Sequence, residues 1–164
     1  MSLNEIKILA NIATSITAIL IFFQLFIAVI SLIMHHKREK MKATVDYYEK
    51  IEPNLQSLQR ELKYKYGDAL STEQCIEIDK QAEDRAKLTR FLNLYNRLSI
   101  GIRKNIYDFD IINDICGNLM VNHIDRYRNY IKFRRKIGDD DKLWFDFEFI
   151  ANRIRSIRSY QKKI

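Results

Sequence analysis

The groups in this chain that could ligate a metal, or act as nucleophile or base, are few and scattered. Cys75 and Cys116 stand alone, with no Cys-x-x-Cys spacing, so neither a zinc site nor a disulfide framework can be built from them. His35 and His36 are adjacent, which puts them about 100° apart on a helix and unable to share one ion. His123 is a lone histidine on a predicted helix, and neither a ligand nor a base role is expected of it. A nuclease of the higher-eukaryotic-and-prokaryotic nucleotide-binding type would carry Arg, four to six residues, then His; no Arg stands in that window before His123. Glu61-Leu62-Lys63 spells the Glu-x-Lys of restriction-type nucleases, but that motif belongs on a strand, and here it falls in a helical pattern as a salt-bridging surface. The four glycines are isolated, so no phosphate-cradling loop exists, and no Gly-x-Ser-x-Gly elbow occurs. Asp139-Asp140-Asp141 reads as an exposed turn and helix cap. The expectation is no catalytic residue, no metal and no cofactor: a protein that is not an enzyme.

Charge is more informative. The chain has 28 basic and 21 acidic side chains, a net charge of +7. Arg126, Arg128, Lys132, Arg134, Arg135 and Lys136 form one basic stripe. Arg153, Arg155, Arg158, Lys162 and Lys163 form a second, free of acids. Between Glu61 and Asp84 acids dominate. Basic stripes can follow anionic lipid or a nucleic-acid backbone. They can also pair with the acidic stretch of the same or a neighbouring subunit.

These side chains must be positioned by elements of two unlike kinds. Residues 8–34 contain no charged residue and as a helix would be about 40 Å long, enough to cross a bilayer of about 30 Å with some tilt. A cleaved signal peptide would have a shorter apolar stretch, of about 7–15 residues, so an uncleaved anchor is expected. Lys37, Arg38, Lys40 and Lys42 follow the span against the single acid Glu39. By the positive-inside rule the amino terminus faces out and the bulk of the chain lies in the cytoplasm; the same four residues could touch lipid headgroups. Within the span, steps of four and three give Ala10, Thr14, Thr17, Ile21, Gln24, Ala28 and Ser31. All but Ile21 are small or polar, while Phe22, Phe23, Leu25, Phe26, Ile27, Val29 and Ile30 fill the other faces. Small residues let helices approach and a mid-membrane Gln gains from a partner, so Ala10, Thr14, Thr17, Gln24, Ala28 and Ser31 form a candidate association seam.

The remaining residues have helical periods and weak strand signals. One proline and four glycines argue against a turn-rich sandwich or barrel. The anchor is expected to continue through Met41, Val45, Tyr48 and Ile51, stopping near Pro53. A short helix should follow through Leu55, Leu58, Leu62 and Tyr66 to Gly67. Ser71 and Gln74 read as a capping box opening one long helix through Ile78, Leu88, Phe91, Leu92, Tyr95, Leu98 and Ile102. Asp108 should cap a helix with Ile111, Ile112, Ile115, Leu119, Ile124, Tyr127 and Ile131, closing at Gly138. Asp141 should cap the last, with Leu143, Trp144, Phe147, Ile150, Ile154 and Ile157. The fold class is therefore all-α: one N-terminal transmembrane helix followed by an antiparallel helical bundle. The expected organisation is a short extracytoplasmic tail (1–7), a transmembrane helix (8–34), a basic juxtamembrane helix (35–53) and a cytoplasmic helical bundle (54–164).

The stretch from Phe91 to Ile112 carries a resemblance. Leu92-Asn93-Leu94-Tyr95, Ile106-Tyr107-Asp108 and Tyr130-Ile131-Lys132-Phe133-Arg134 resemble the Leu-Asn-aromatic-aromatic helix, the Ile-x-Asp helix start and the later Arg element of the bacterial domain-of-unknown-function 4760 family. Asn93, Tyr95, Asp108 and Arg134 are the motif positions matched; Asn96 stands where that family usually has Glu. The resemblance implies a single-pass protein of the bacterial inner membrane with a helical cytoplasmic domain, and it implies no activity.

The reading that results is a membrane-anchored interaction or regulatory protein that self-associates through its transmembrane helix. Its partners would be the lipid bilayer and further copies of itself, a homo-oligomer, with another membrane protein as the alternative. A membrane-disrupting effector of an anti-phage abortive-infection system is a second reading. A membrane-tethered nucleic-acid binder is a third, nucleic acid being the less favoured partner.

Overall fold

The computed structural model describes residues 3–161, with side chains described at Asn4, Lys7, Ile8 and from Thr14 to Tyr160. Five helices and no strand occur among them: α1 (Leu3–Tyr66), α2 (Thr72–Lys80), α3 (Ala82–Arg103), α4 (Phe109–Gly138) and α5 (Phe145–Gln161). The chain forms two compact units, one ending at Glu39 and the other beginning at Lys40.

In the first unit every described side chain from Thr14 to Glu39 is exposed. The second unit holds the core. Here α3 packs on α5, α4 on α5, and α2 on both α3 and α4. Phe91, Tyr95, Tyr127, Tyr130 and Phe147 are its largest fully buried side chains. The last third of α1 contributes Tyr48, Ile51, Leu55, Leu58, Leu62 and Tyr66 to the same core.

That row explains why α1 does not stop at Pro53, as the sequence suggests, but runs on to Tyr66. A proline inside a helix costs about 3 kcal/mol through its lost N–H and its clash with the preceding turn. Six large buried side chains at helical spacing on both sides of it each contribute about 1.5–3 kcal/mol. Pro53 and Glu49, whose carbonyl loses its partner, are exposed, so the lost bond falls on the solvent side of the helix. The helix ends where Gly67 takes φ +76° and its N–H bonds the Lys63 carbonyl at 2.9 Å, a left-handed cap open to glycine.

The capping box forms as expected, with Ser71 Oγ accepting from the Gln74 N–H and the Gln74 side chain accepting from the Ser71 N–H. The single long helix does not. Gln81, in extended conformation, ends α2 and begins α3. On one continuous helix the row of Cys75 and Ile78 would stand about 140° from the row of Leu88, Phe91 and Tyr95. Breaking at Gln81 lets both rows enter the core.

Asp108 caps α4 by accepting from the N–H groups of Asp110 and Ile111. The buried face of α4 is rotated from the expected one: Cys116, Met120, His123 and Tyr130 are inside, whereas Ile115 and Leu119 are exposed. α4 ends at Gly138, and the left-handed residue after it is Asp139, at φ 48°. The last helix starts at Phe145 rather than at Asp141. Trp144 adopts φ 56° and turns its ring into the core, which delays the helix by one turn.

Candidate functional site

The apolar unit offers the first candidate. Of the proposed seam, Thr14, Thr17, Gln24, Ala28 and Ser31 are exposed, as are the large residues between them, with Phe22 at 67% and Leu32 at 71%. The side chain of Ala10 lies outside the described residues. By length and composition α1 is apolar enough to cross a membrane, and it is the one such helix among the described residues.

The four basic residues after the apolar stretch divide. Lys37, Arg38 and Lys42 are exposed. Lys40 instead reaches the turn between α3 and α4, donating to Asn105 Oδ1 at 2.7 Å and lying 3.8 Å from Asp108. Beside it the buried Thr44 hydroxyl donates to the Lys40 carbonyl and accepts from the Asp108 N–H, both at 2.7 Å. Thr44 was invisible in the sequence because its partner is 64 residues away.

The α4 stripe is not a uniform basic surface. Arg126 is buried and donates to the Gly67 carbonyl. Arg134 pairs with Asp79, so this base meets the acidic stretch of its own chain. Arg135 pairs with Glu148 at 2.9 Å and bonds the Leu143 carbonyl at 3.0 Å. Arg128 shares Asp125 with Arg155. Lys132 and Lys136 remain as exposed charges. In the C-terminal stripe Arg158 donates to Asn113 Oδ1 at 2.9 Å and Arg153 lies 4.0 Å above the Phe109 ring; Lys162 and Lys163 lie outside the described residues.

The four motif positions all hold helices together. Asn93 accepts from Trp144 Nε1 at 2.7 Å. Tyr95 stacks on Phe147 at 5.0 Å and meets His123 Nδ1 through its hydroxyl at 3.1 Å. Asp108 caps α4, and Arg134 ties α4 to α2 through Asp79. Asn96, one turn from Asn93, accepts from the Phe147 N–H at 3.1 Å.

Among the described residues no group of three or more His, Cys, Asp or Glu is placed to hold a metal. Cys75 and Cys116 are both buried free thiols. Burial pushes the Cys116 thiol up to about 12 and raises that of Cys75, which favours the neutral thiol over the nucleophilic thiolate in both. His123 is 3% exposed and burial, with Arg126 nearby, lowers its pKa to about 4. Glu61 and Lys63 lie on α1 and make ion pairs with Lys87 and Asp68.

No curated protein and no solved structure matches the chain. A family model described as a domain of unknown function (DUF4760) matches residues 18–154. That match takes in the end of the apolar helix, the Asn93–Asp108 stretch and the Arg134 element together, and the chain belongs to this family.

Proposed function

We propose that the protein is a single-pass protein of the bacterial inner membrane, with its amino terminus outside and an antiparallel helical bundle in the cytoplasm, that acts by self-association rather than catalysis. The observation that carries this reading is the unbroken exposure of Thr14 to Glu39. Water cannot solvate so many aliphatic and aromatic side chains on one helix without a cost of order 25 cal/mol per Å². A bilayer removes that cost, and Gln24 in its interior then gains from a hydrogen-bonding neighbour. Gln24, Ala28 and Ser31 supply the small and polar side of the helix in its second half. Exposed Lys37, Arg38 and Lys42 support retention of the following segment in the cytoplasm.

The test is the mass of the full-length protein in lipid nanodiscs. The reading expects a discrete oligomer that Gln24→Leu with Ala28→Leu converts to monomers. A monomeric native protein, or an oligomer indifferent to both substitutions, overturns self-association through this face. The same seam admits the effector reading, in which assembled spans permeabilise the membrane. Dye entry on overexpression, lost in the double variant, would favour it.

A further inference from the structure

A groove of about 700 Å³ runs along α3, lined by Ala82, Ala86, Thr89, Asn93 and Leu94 together with four arginines, Arg85, Arg90, Arg97 and Arg134. No carboxylate lines it. Three of the guanidinium groups have hydrogen-bond partners outside the lining. Asp79 takes Arg134 on its carboxylate and Arg85 on its backbone carbonyl, the latter at 3.1 Å. Asn54 takes Arg90 at 3.1 Å. Each of these bonds uses one of five guanidinium N–H groups, so donors remain for something else. Arg97 is exposed and makes no hydrogen bond or ion pair among the described residues. Asn93 has its oxygen engaged by Trp144, which leaves its amide N–H₂ to donate. The polar lining is thus made almost wholly of donors, on a floor of Ala82, Ala86 and Leu94.

We propose that this groove binds a small phosphate-bearing ligand of nucleotide size through Arg85, Arg90, Arg97 and Arg134. Asp79 offsets one of the four charges, at Arg134, whereas Arg85 and Arg90 meet only neutral oxygens. Gathering the remaining like charges is unfavourable without a counter-anion, and arginine matches phosphate with paired N–H···O bonds. Arg90 and Arg97 are two helical turns apart, about 10 Å, a span suited to an anion with more than one charged group. The volume lies within the range of about 300–1,000 Å³ typical of small-ligand sites. A long polynucleotide gains little beyond the groove, because the surface adjoining Ala86 and Arg90 carries Glu61 and Glu83, which already occupy Lys87. Arg85 and Arg134 are pre-set by Asp79, so little ordering is left to offset on binding.

Full-length protein in phosphatidylcholine nanodiscs is titrated calorimetrically with ATP and with pyrophosphate. Saturable binding is expected, weakened at least about tenfold in Arg90→Gln/Arg97→Gln through the loss of charge-assisted bonds. The Lys132→Gln/Lys136→Gln control, which removes as much charge elsewhere, should bind as the native protein does. Repeating the titration in discs containing phosphatidic acid separates two sources of the same chemistry. If a lipid headgroup fills the groove, ATP affinity falls in these discs, and less so in Arg90→Gln/Arg97→Gln. Absence of saturable binding to both ATP and pyrophosphate in the phosphatidylcholine discs overturns the proposal. So does equal weakening by the two double variants, or binding of duplex DNA alone. Unchanged thermal melting of the arginine variant is the folding check, since both side chains are exposed.

Discussion

The indole Nε1 of Trp144 donates to Asn93 Oδ1 at 2.7 Å, and this bond fixes where the last helix begins. Trp144 is buried at a positive φ, a conformation that a bulky residue adopts only when its surroundings demand it. One turn further along α3, Asn96 takes the N–H of Phe147. Two amides spaced three residues apart on one helix thus form the start of another.

Asn93→Ala leaves a buried indole N–H without an acceptor, and a loss of about 1–3 kcal/mol is expected. Asn93→Asp keeps the acceptor and should lose less. Asn96→Ala removes an end cap and should cost about 1 kcal/mol. Denaturant titration followed by fluorescence reads this directly, because Trp144 is the sole tryptophan. Equal stability of the Asn93→Ala and native proteins would remove the bond from the account.

The second buried polar link joins α1 to α3. Tyr66 donates its hydroxyl to Asp84 at 2.5 Å, with Lys65 paired to the same carboxylate oxygen. Burial alone would raise the Asp84 pKa, but the bonds from Lys65 and Tyr66 bring it below its ordinary value. Tyr66→Phe withdraws a donor from a buried charge, and about 1.5–3 kcal/mol should be lost. A lowered carboxyl contributes stability above its unfolded pKa and loses it as pH falls through the folded one. The deficit of Tyr66→Phe should therefore be large at pH 7 and shrink in strong acid. A deficit independent of pH would mean that only packing was lost.

Local signals were the legible part of this fold. The Ser71–Gln74 box and the Asp108 cap are readable because donor and acceptor lie within three residues. The buried row of α3 is readable because the helical period repeats over many residues. Pro53 misled because its penalty is local whereas the compensating row, from Tyr48 to Tyr66, is set by a distant core. The break at Gln81 has no glycine or proline to announce it, and follows only from a phase shift between Ile78 and Leu88. The arginine groove escaped for a related reason. Arg85, Arg90 and Arg97 are ordinary surface residues in a linear reading, and only the fold brings Arg134 beside them. The α4 stripe was legible as a cluster of bases, but its partners, Gly67, Asp79 and Glu148, come from three other segments.

The turn after α3 rests on a close approach. Ile106 and Tyr107 both donate to the Gly101 carbonyl, at 2.8 and 3.1 Å, which folds the Tyr107 ring onto Gly101 itself. A Cβ at this position would stand 3.2 Å from Tyr107 Cγ and nearer still to two other ring carbons. The ring cannot swing freely, because it is stacked on Tyr47 at 4.8 Å. Gly101→Ala should therefore destabilise by about 1–3 kcal/mol, reversing the gain of up to about 1 kcal/mol that alanine brings inside a helix. In a Tyr107→Ala background, which has already lost the ring, Gly101→Ala should instead be neutral or stabilising by up to about 1 kcal/mol. If Gly101→Ala alone is stabilising, the ring is not confined as described.

His123 should contribute to the response of the core to acid. It stands among Phe91, Tyr95 and Tyr127, with ring centroids 5.0, 5.4 and 6.4 Å away. Burial, and then the charge of Arg126, lower its pKa from 6.5 to about 4. The folded protein holds this imidazole neutral while the unfolded chain binds a proton below pH 6.5. Stability from this residue is therefore complete above pH 6.5 and drains away as pH falls towards 4, below which both states are protonated. Between pH 7.5 and 4.5 the shift corresponds to a loss of about 2–3 kcal/mol. His123→Phe keeps an aromatic ring and removes the proton site, at the cost of the bond to Tyr95. The variant should match or fall below the native protein at pH 7.5, yet lose about 2–3 kcal/mol less on acidification. Denaturant unfolding of both proteins at the two pH values decides the matter: parallel losses would assign the acid response to the carboxylates, and unequal ones to His123.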